Sequence, residues 1–376
     1  MEEPKTVFEL IQQLKSENRS DAQINVAVSH FLENKARESH TPRHGHFELT
    51  PLCNLDCKMC YVHLNKDQLQ GQELLSVETW KDLMQQAIDA GMTKASLSGG
   101  ECLTYPGFDE LYLFLRSKGV EVNVLTNGIL LNEKRIEFFK KHRPNIIQVT
   151  LYGSNNEAYE RVTGHKMFDV VFKNIMAVKE AGMAIRVAIT PSKYILDDVT
   201  NIIDLLVEND VKYIINSCLF KPQESTGRQN NLDSISDDEY LEIIKYHLQK
   251  HNYESHIEGD MPEFDDSASD FTEGELRCGA GRSCFAFNWK GVMQPCSQLS
   301  NISSNLSSIG FKDAWQQIVE QCSSFPRFNK CEKCSYRKYC EFCAAANEQL
   351  GSKYELSPKW CERAKRKAML DFKENG

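Results

Sequence analysis

Three cysteines near the start of the chain are spaced so that they could share one iron–sulfur cluster. They are Cys53, Cys57 and Cys60, in the pattern C-x3-C-x2-C. Three thiolates can bind three irons of a four-iron cluster, and no fourth cysteine is near in the sequence to bind the last iron. An iron without a protein ligand can bind a substrate, so the spacing predicts a reactive site and not only an electron carrier.

A second motif follows further along the chain and reads Ser98-Gly99-Gly100-Glu101. The cysteine triad and the Gly-Gly-Glu sequence together resemble the radical S-adenosylmethionine (SAM) superfamily. The resemblance implies that the open iron binds SAM through its amino and carboxylate groups. Reductive cleavage of SAM would then yield a 5′-deoxyadenosyl radical that abstracts hydrogen. Because clusters of this open type are oxygen-labile, we expect an anaerobic or microaerobic cell.

The same resemblance implies which residues contact SAM. Ser98, Gly99, Gly100 and Glu101 would bind the amino group, with glycines that allow a close backbone approach. Thr150 stands where the family often has a serine, and Arg161 would reach the methionine carboxylate with its planar, permanently charged fork. Asn127 would meet the ribose, and Tyr61 would line the adenine pocket unless it packs in the core.

Nine further cysteines lie in the last hundred residues, and all but Cys322 form a second group. Seven of this group, with Gly291, follow the pattern C-x(9–15)-G-x4-C, C-x2-C-x5-C-x2-C and a final cysteine, and Cys284 lies within the first gap. The group resembles the SPASM extension of radical SAM enzymes. The resemblance implies two auxiliary [4Fe–4S] clusters, three clusters in all. The first would be bound by Cys278, Cys284, Cys296 and Cys343, and the second by Cys331, Cys334, Cys340 and Cys361. A zinc ribbon is the alternative, because C-x2-C pairs also suit tetrahedral zinc.

Composition limits the classes of function. The net charge of −9 over 376 residues argues against binding the phosphate backbone of nucleic acids. The sequence contains no run of about 18 apolar residues that would predict a membrane span, and the acidic N-terminus does not resemble a secretory signal. Fourteen cysteines in such a chain favour metal ligation over disulfides. We therefore expect a cytoplasmic protein without nucleic-acid or membrane partners.

Strand and helix patterns alternate from about residue 46, which predicts an α/β fold. The predicted strands are 47–50, 94–98, 122–126, 146–152, 185–189 and 212–217, and the predicted helices are 77–90, 108–118, 132–141, 168–181, 198–209 and 237–249. Six such units predict a parallel sheet, as in a partial (β/α)6 TIM barrel. The motifs follow the ends of strands one to four, where barrel enzymes place their chemistry.

We expect five segments along the chain. An N-terminal helical cap would span 1–44, since the region looks too short for a winged-helix peptide-recognition domain. The radical SAM barrel would span 45–225, a helix and an acidic linker 226–275, the SPASM domain 276–365, and a tail 366–376.

The favoured function is maturation of a ribosomally made precursor peptide, because the stretch from Tyr152 to Gly164 looks like that of peptide maturases. The product would be an oxidative cross-link, either a thioether or a C–C bond. The class of enzyme implies a flavodoxin or ferredoxin as the electron donor.

Three alternatives stay open. Sulfatase-maturating enzymes that form formylglycine carry an aspartate where this chain has Ser297. A peptide epimerase needs a hydrogen donor, for which Cys102 is the best placed of the unassigned cysteines, although Cys102, Cys218 and Cys322 could each be small buried hydrophobes. A non-enzymatic iron–sulfur electron-transfer protein is the remaining class.

Overall fold

A computed structural model describes residues 6–69, 71–222, 234–251, 271–274, 276–306, 309–351 and 353–373 of the chain. Two helices come first, α1 (Val7–Ser16) and α2 (Asp21–Glu38). Ser20 begins α2 with a capping box, in which its hydroxyl accepts from the Gln23 amide and the Gln23 side chain accepts from the Ser20 amide. Two helices are what the sequence predicts for this region.

A parallel sheet with helices on its outer side follows, in agreement with the predicted α/β fold class. Its strands are β1 (His44–Glu48), β2 (Lys94–Ser98), β3 (Glu121–Thr126), β4 (Ile146–Thr150), β5 (Ile185–Ile189) and β6 (Tyr213–Ile215). Each strand pairs in parallel with the next. The first strand begins three residues before the predicted start, because the His44–His46 stretch also pairs with its neighbours.

Seven helices connect or follow these strands: α3 (Val77–Asp89), α4 (Phe108–Ser117), α5 (Glu133–Lys141), α6 (Asn156–Thr163), α7 (Phe168–Glu180), α8 (Val199–Glu208) and α9 (Asp237–Lys250). In α3 the hydroxyl of Ser76 caps the first turn, and Trp80, Leu83, Met84 and Ala87 are buried. This spacing places the four side chains on one face of the helix. The periodicity predicted every one of these helices except α6.

The C-terminal part of the chain extends the same sheet. Strand β8 (Cys284–Phe287) pairs in parallel with β1 on the side opposite β2, and β9 (Val292–Gln294) and β10 (Ser304–Asn305) follow it in antiparallel pairing. The result is a nine-stranded sheet that contains both the barrel strands and the first strands after the linker.

The remaining elements cover the end of that sheet. Strand β7 (Phe271–Gly274) pairs with β11 (Phe325–Phe328) as a separate two-stranded sheet. The helices are α10 (Gly310–Ser323), α11 (Ala344–Leu350) and α12 (Pro358–Lys373). Residues 252–270 of the predicted acidic linker lie outside the described residues. Its last part, residues 271–274, forms β7. Across the described ranges, no helix combines the length and apolarity that crossing a membrane requires.

Aromatic side chains fill the seam between β1 and β8. The Phe285 ring lies 6.0 Å from that of Phe47 and 5.2 Å from that of Phe311, measured between centroids. A methyl group on Gly45 would come 2.7 Å from the Phe285 ring, so glycine makes room for this aromatic packing.

We expect Phe285→Ala to lower the free energy of unfolding by about 3–5 kcal/mol, because it removes a fully buried ring from the seam. Urea denaturation followed by circular dichroism measures the change. The control is Phe8→Ala, since Phe8 is 68% exposed, and its expected cost is under about 0.5 kcal/mol. Equal losses in the two variants would contradict this account of the seam.

Candidate functional site

A cavity of about 470 Å³ opens at the carboxyl ends of the barrel strands and is here called the rim cavity. Its size is that of a small-molecule site. Ten of the predicted site residues line it: Cys53, Cys57, Cys60, Tyr61, Ser98, Gly99, Gly100, Asn127, Thr150 and Cys343. The structure therefore brings the cysteine triad and most of the predicted SAM contacts to one place.

The Gly99-Gly100 turn lies directly against the backbone that leads into the cysteine triad. A Cβ on Gly99 would sit 2.3 Å from the Thr50 carbonyl oxygen, and one on Gly100 would sit 2.4 Å from that of Leu52. Gly99 also has a φ of +135°, which side-chain-bearing residues rarely adopt. The Gly100 amide donates to the Thr50 carbonyl at 2.7 Å. Only glycine fits at either position, so this motif holds the triad loop by backbone contact.

Glu101 has a different role from the one predicted. Its carboxylate is buried and accepts from the Asn127 amide at 2.7 Å, the Thr126 hydroxyl at 2.8 Å and the Leu103 amide at 3.0 Å. Burial raises the pKa of this carboxyl, although the three donors oppose that rise. Glu101 does not line the rim cavity, so the structure corrects the predicted contact with the SAM amino group. Its carboxylate instead positions the loop after β3.

Asn127 links that loop to the triad. Its side-chain amide donates to the Asn54 side-chain oxygen at 2.7 Å and lies 3.7 Å from the Cys53 sulfur. Asn54 stands inside the triad motif and was not among the predicted site residues. The loops after β1, β2 and β3 are thus joined by polar contacts around the triad.

Helix α6 holds the other side of the triad loop. The carbonyls of Val162 and Thr163 accept from the amides of Lys58 at 2.9 Å and Asp56 at 3.3 Å. The apolar pattern of this helix was too short to predict it, but its sequence carries a start signal and a stop signal. Asn155 caps the first turn, and Gly164 ends the helix with a φ of +76°.

Arg161 does not occupy the predicted position. It lies on α6 with 46% of its side chain exposed, and it binds the Tyr194 carbonyl at 3.2 Å and the Asp197 carboxylate at 2.9 Å. It does not line the rim cavity. The predicted contact with the SAM carboxylate is corrected, because α6 turns this side chain toward the loop before α8.

Cys102 is also misplaced for its predicted role as a hydrogen donor. The residue is fully buried, and its thiol donates to the Leu125 carbonyl at 3.2 Å, outside the rim cavity. Of the other two unassigned cysteines, Cys322 is buried, whereas Cys218 lines the rim cavity. The correction follows from the 3₁₀ turn after Glu101, which directs the Cys102 thiol into the core.

The four cysteines predicted to hold the second auxiliary cluster line one cavity of about 200 Å³, here called the cysteine cavity. They are Cys331, Cys334, Cys340 and Cys361. Burial raises the pKa of the Cys361 thiol to about 11, and its neighbours Cys331, Cys340 and Cys334 add to that rise. The four cysteines are thus gathered around one space, as a shared cluster requires.

The first predicted auxiliary set also converges. Burial raises the pKa of Cys296 to about 12, and Cys278 and Cys343 raise it further. Burial raises that of Cys284 to about 11, with a contribution from Cys278. Cys343 lines the rim cavity as well, so this set adjoins the triad site.

The arrangement suits clusters better than single ions. Among the described residues, no three His, Cys, Asp or Glu side chains converge on one ion position. Each thiolate of a four-iron cluster binds a different iron, so its ligands surround a volume and do not meet at a point. Three thiols around the rim cavity and two sets of four fit that requirement.

One buried carboxyl beside the rim cavity was not predicted. The Tyr61 hydroxyl donates to a Glu48 carboxylate oxygen at 3.3 Å, and Ser297 also hydrogen-bonds to Tyr61. Glu48 is 1% exposed, and its second carboxylate oxygen has no hydrogen-bond partner within the described part of the chain. Burial raises the pKa of Glu48 to about 7. The inward-facing position on β1 could have indicated this residue.

Residues 47–206 match the model of the radical SAM superfamily. The chain therefore carries a radical SAM domain. This confirms the predicted resemblance to the radical SAM superfamily and the predicted α/β fold class. Membership implies a [4Fe–4S] cluster and SAM as cofactors.

Three known proteins are similar to this chain over most of its length. The antilisterial bacteriocin subtilosin biosynthesis protein AlbA of Bacillus subtilis is 25% identical over 82% of this chain and 68% of its own length. The AdoMet-dependent heme synthase of Methanosarcina barkeri is 25% identical over 82% of this chain and 92% of its own length. Streptococcus suis SuiB bound to its precursor peptide SuiA shares the fold with a TM-score of 0.64 at 16% identity, over 91% of this chain and 81% of SuiB.

We expect Gly100→Ala to remove most of the iron at the triad, a loss of about four irons. Gly100 is not among the glycines with positive φ. The loss of iron would therefore come from the clash between the added methyl group and the Leu52 carbonyl, and not from backbone strain. Iron analysis and electron paramagnetic resonance of the reconstituted protein measure it. Gly351→Ala is the matched control, because its Cβ would meet nothing within 4 Å. Full iron in the Gly100 variant would contradict the role given to the turn.

Glu48 makes folding stability depend on pH. Its pKa rises from 4.5 to about 7 on folding, so the stability it contributes is present below pH 4.5 and is lost as the pH rises through 7. Relative to Glu48→Gln, wild-type protein should lose about 2 kcal/mol between roughly pH 5.5 and pH 8.5. Urea denaturation at each pH measures this. Glu133→Gln, at the exposed start of α5, should follow wild type. Parallel curves for wild type and Glu48→Gln would refute the prediction.

Proposed function

We propose that this protein modifies a ribosomally synthesised precursor peptide by radical chemistry and forms an oxidative cross-link, either a thioether or a C–C bond. The observation that carries the proposal is that Cys343 of the first auxiliary set lines the same cavity as Cys53, Cys57 and Cys60. A substrate in that cavity would lie between the SAM-binding cluster and an auxiliary cluster. The name of AlbA and the peptide bound to SuiB support a peptide as the substrate.

The triad would hold the SAM-binding cluster, and the two sets of four cysteines would hold two auxiliary clusters. When bound, these groups supply a 5′-deoxyadenosyl radical to abstract hydrogen and a one-electron acceptor for the resulting substrate radical. The triad and the second auxiliary set are suited to this because their cysteines are buried or partly buried, and in the first auxiliary set only Cys278 is exposed.

The residues of the chain would orient SAM and exclude water. The backbone of Gly99 and Gly100 would receive the amino group, since no side chain covers it. Asn127 and Thr150 would contact the rest of SAM from the loop after β3 and the end of β4. Tyr61 and Tyr152, which also line the rim cavity, would cover the reacting groups from solvent.

The oxidative reaction also releases a proton from the substrate. Tyr61 lines the rim cavity and its hydroxyl donates to Glu48, so the Tyr61 oxygen would take the substrate proton as its own proton passes to the Glu48 oxygen it is hydrogen-bonded to. This pair would stand in for the aspartate that sulfatase-maturating enzymes carry at the position of Ser297. We further propose a cytoplasmic enzyme with a flavodoxin or ferredoxin as its reductant, because open clusters and free thiols require reducing conditions.

Epimerisation is the second candidate, and one observation favours it. The Cys218 thiol lines the rim cavity, so a substrate radical there could take a hydrogen atom from it. In this candidate function the hydrogen donor is Cys218, and not Cys102 as the sequence predicted. An epimerised peptide would keep its mass in ordinary water.

The test is the mass of a short peptide encoded beside this gene after anaerobic incubation in heavy water with the enzyme, SAM and a reductant. Loss of two hydrogens supports an oxidative cross-link, and fragmentation locates it. A gain of one deuterium that Cys218→Ala abolishes would contradict the oxidative cross-link and support epimerisation.

The control replaces Cys53, Cys57 and Cys60 with alanine, which should leave about eight of about twelve irons and abolish both SAM cleavage and the mass change. A peptide that stays untouched while wild-type enzyme cleaves SAM would contradict a peptide substrate. About four irons with zinc in wild type would contradict the auxiliary clusters.

A further inference from the structure

Positive charge is concentrated around the second auxiliary set, although the whole chain is acidic. Residues 327–367 contain eleven lysines and arginines against five glutamates, a net charge of +6, whereas the chain as a whole carries −9. This stretch contains Cys331, Cys334, Cys340 and Cys361. Lys359, Arg363 and Arg366 pair with Asp237 or Asp238 of α9. The uncompensated positive charge is therefore that of residues 327–340, which carry five cations against one glutamate.

An inner layer of this charge faces the cysteine cavity itself. Arg277, Arg327 and Arg337 line it together with the four thiols. Arg277 donates to the Cys331 carbonyl at 3.2 Å, while its other terminal nitrogen and the Nε of Arg327 are buried with no partner in the described ranges. Buried guanidinium groups need an anion. A cluster held by four thiolates is such an anion, so the cavity explains the two unpartnered nitrogens of Arg277 and Arg327. Arg327 also pairs with Glu332 at 3.7 Å, and Arg337 is exposed at the mouth of the cavity.

An outer layer of charge is not explained in that way. Lys333 and Lys338 are exposed on the loop that carries Cys334, and neither has a carboxylate within ion-pair distance among the residues described. Two other lysines of this stretch differ, because Lys367 pairs with Glu341 and Lys359 pairs with Asp237. Two unpaired ammonium groups above a redox site favour an acidic partner.

The second auxiliary set is also accessible. Cys331, Cys334, Cys340 and Cys361 are each partly exposed, an exposure class they share with Cys53 and Cys60 of the triad. A group bound by these four cysteines would lie at the protein surface. Electron transfer from a second protein requires that kind of access.

We propose that the surface formed by Lys330, Lys333, Arg337 and Lys338 is the docking site of an acidic one-electron carrier protein. This rests on the proposed function, because it requires a cluster at Cys331, Cys334, Cys340 and Cys361. One electron passes from the reduced carrier to the oxidised cluster, the carrier is oxidised by one electron, and no bond forms or breaks. Opposite charges on the two surfaces would speed their association and fix its orientation.

The test uses the full-length holoenzyme, purified acidic flavodoxin as the probe, and the double variant Lys333→Glu/Lys338→Glu. We expect at least a tenfold loss of flavodoxin affinity at low ionic strength and a matching loss in the rate at which reduced flavodoxin reduces the enzyme. The difference should shrink as salt is added, because exposed charges are screened. The control is Lys134→Glu/Lys173→Glu, which makes the same charge change at exposed positions on α5 and α7 and should bind as wild type.

Two further measurements distinguish a failure of the docking site from a failure of the proposed function. Iron content and dithionite-driven SAM cleavage should be the same in wild type and both double variants. If those fail in wild type, the proposed function fails, whereas normal values with equal flavodoxin binding in all three proteins overturn the docking site alone. Weaker binding of the precursor peptide with unchanged flavodoxin binding would also overturn it and assign the surface to the peptide.

Discussion

The site depends on a contact between two backbone segments that leaves no room for a side chain. The turn at Gly99 and Gly100 lies against the carbonyls of Thr50 to Leu52, immediately before the cysteine triad. Two amides of the turn region donate into that segment, Gly100 to Thr50 at 2.7 Å and Glu101 to Leu52 at 3.0 Å. The same turn thus presents open backbone to the rim cavity and fixes where the triad begins. Its two functions cannot be separated by mutation of a side chain.

Glu101 extends this contact to the rest of the rim. A buried carboxylate is costly unless donors surround it, and here three donors from its own turn and the loop after β3 do so. Asn127 then reaches Asn54 within the triad motif. The hydrogen bonds that satisfy one buried carboxyl group therefore also order three loops. A rigid arrangement of loops is what a radical reaction requires to keep water out.

The shared sheet sets the relation between the barrel and the C-terminal cysteines. Strand β8 begins at Cys284, which stands opposite His44 in the pairing with β1. The preceding residue, Ser283, donates to Glu33 of α2 at 2.6 Å. The first auxiliary set is thereby tied both to the strand that leads into the triad and to the N-terminal helices. Cys343 of the same set lines the rim cavity together with Cys60.

The sequence by itself determined the local pieces of this protein. The spacing of Cys53, Cys57 and Cys60 indicated a shared cluster, alternating patterns indicated the parallel sheet, and the C-terminal cysteine pattern resembled the SPASM extension, because each of these signals lies in the order and spacing of residues along the chain. Only the tertiary structure decided that Arg161 and Cys102 point away from the rim cavity while Cys218 and Glu48 lie at or beside it. The direction of a side chain and the neighbour of a strand depend on packing between distant segments, as the pairing of β8 with β1 shows, and local periodicity carries no record of them.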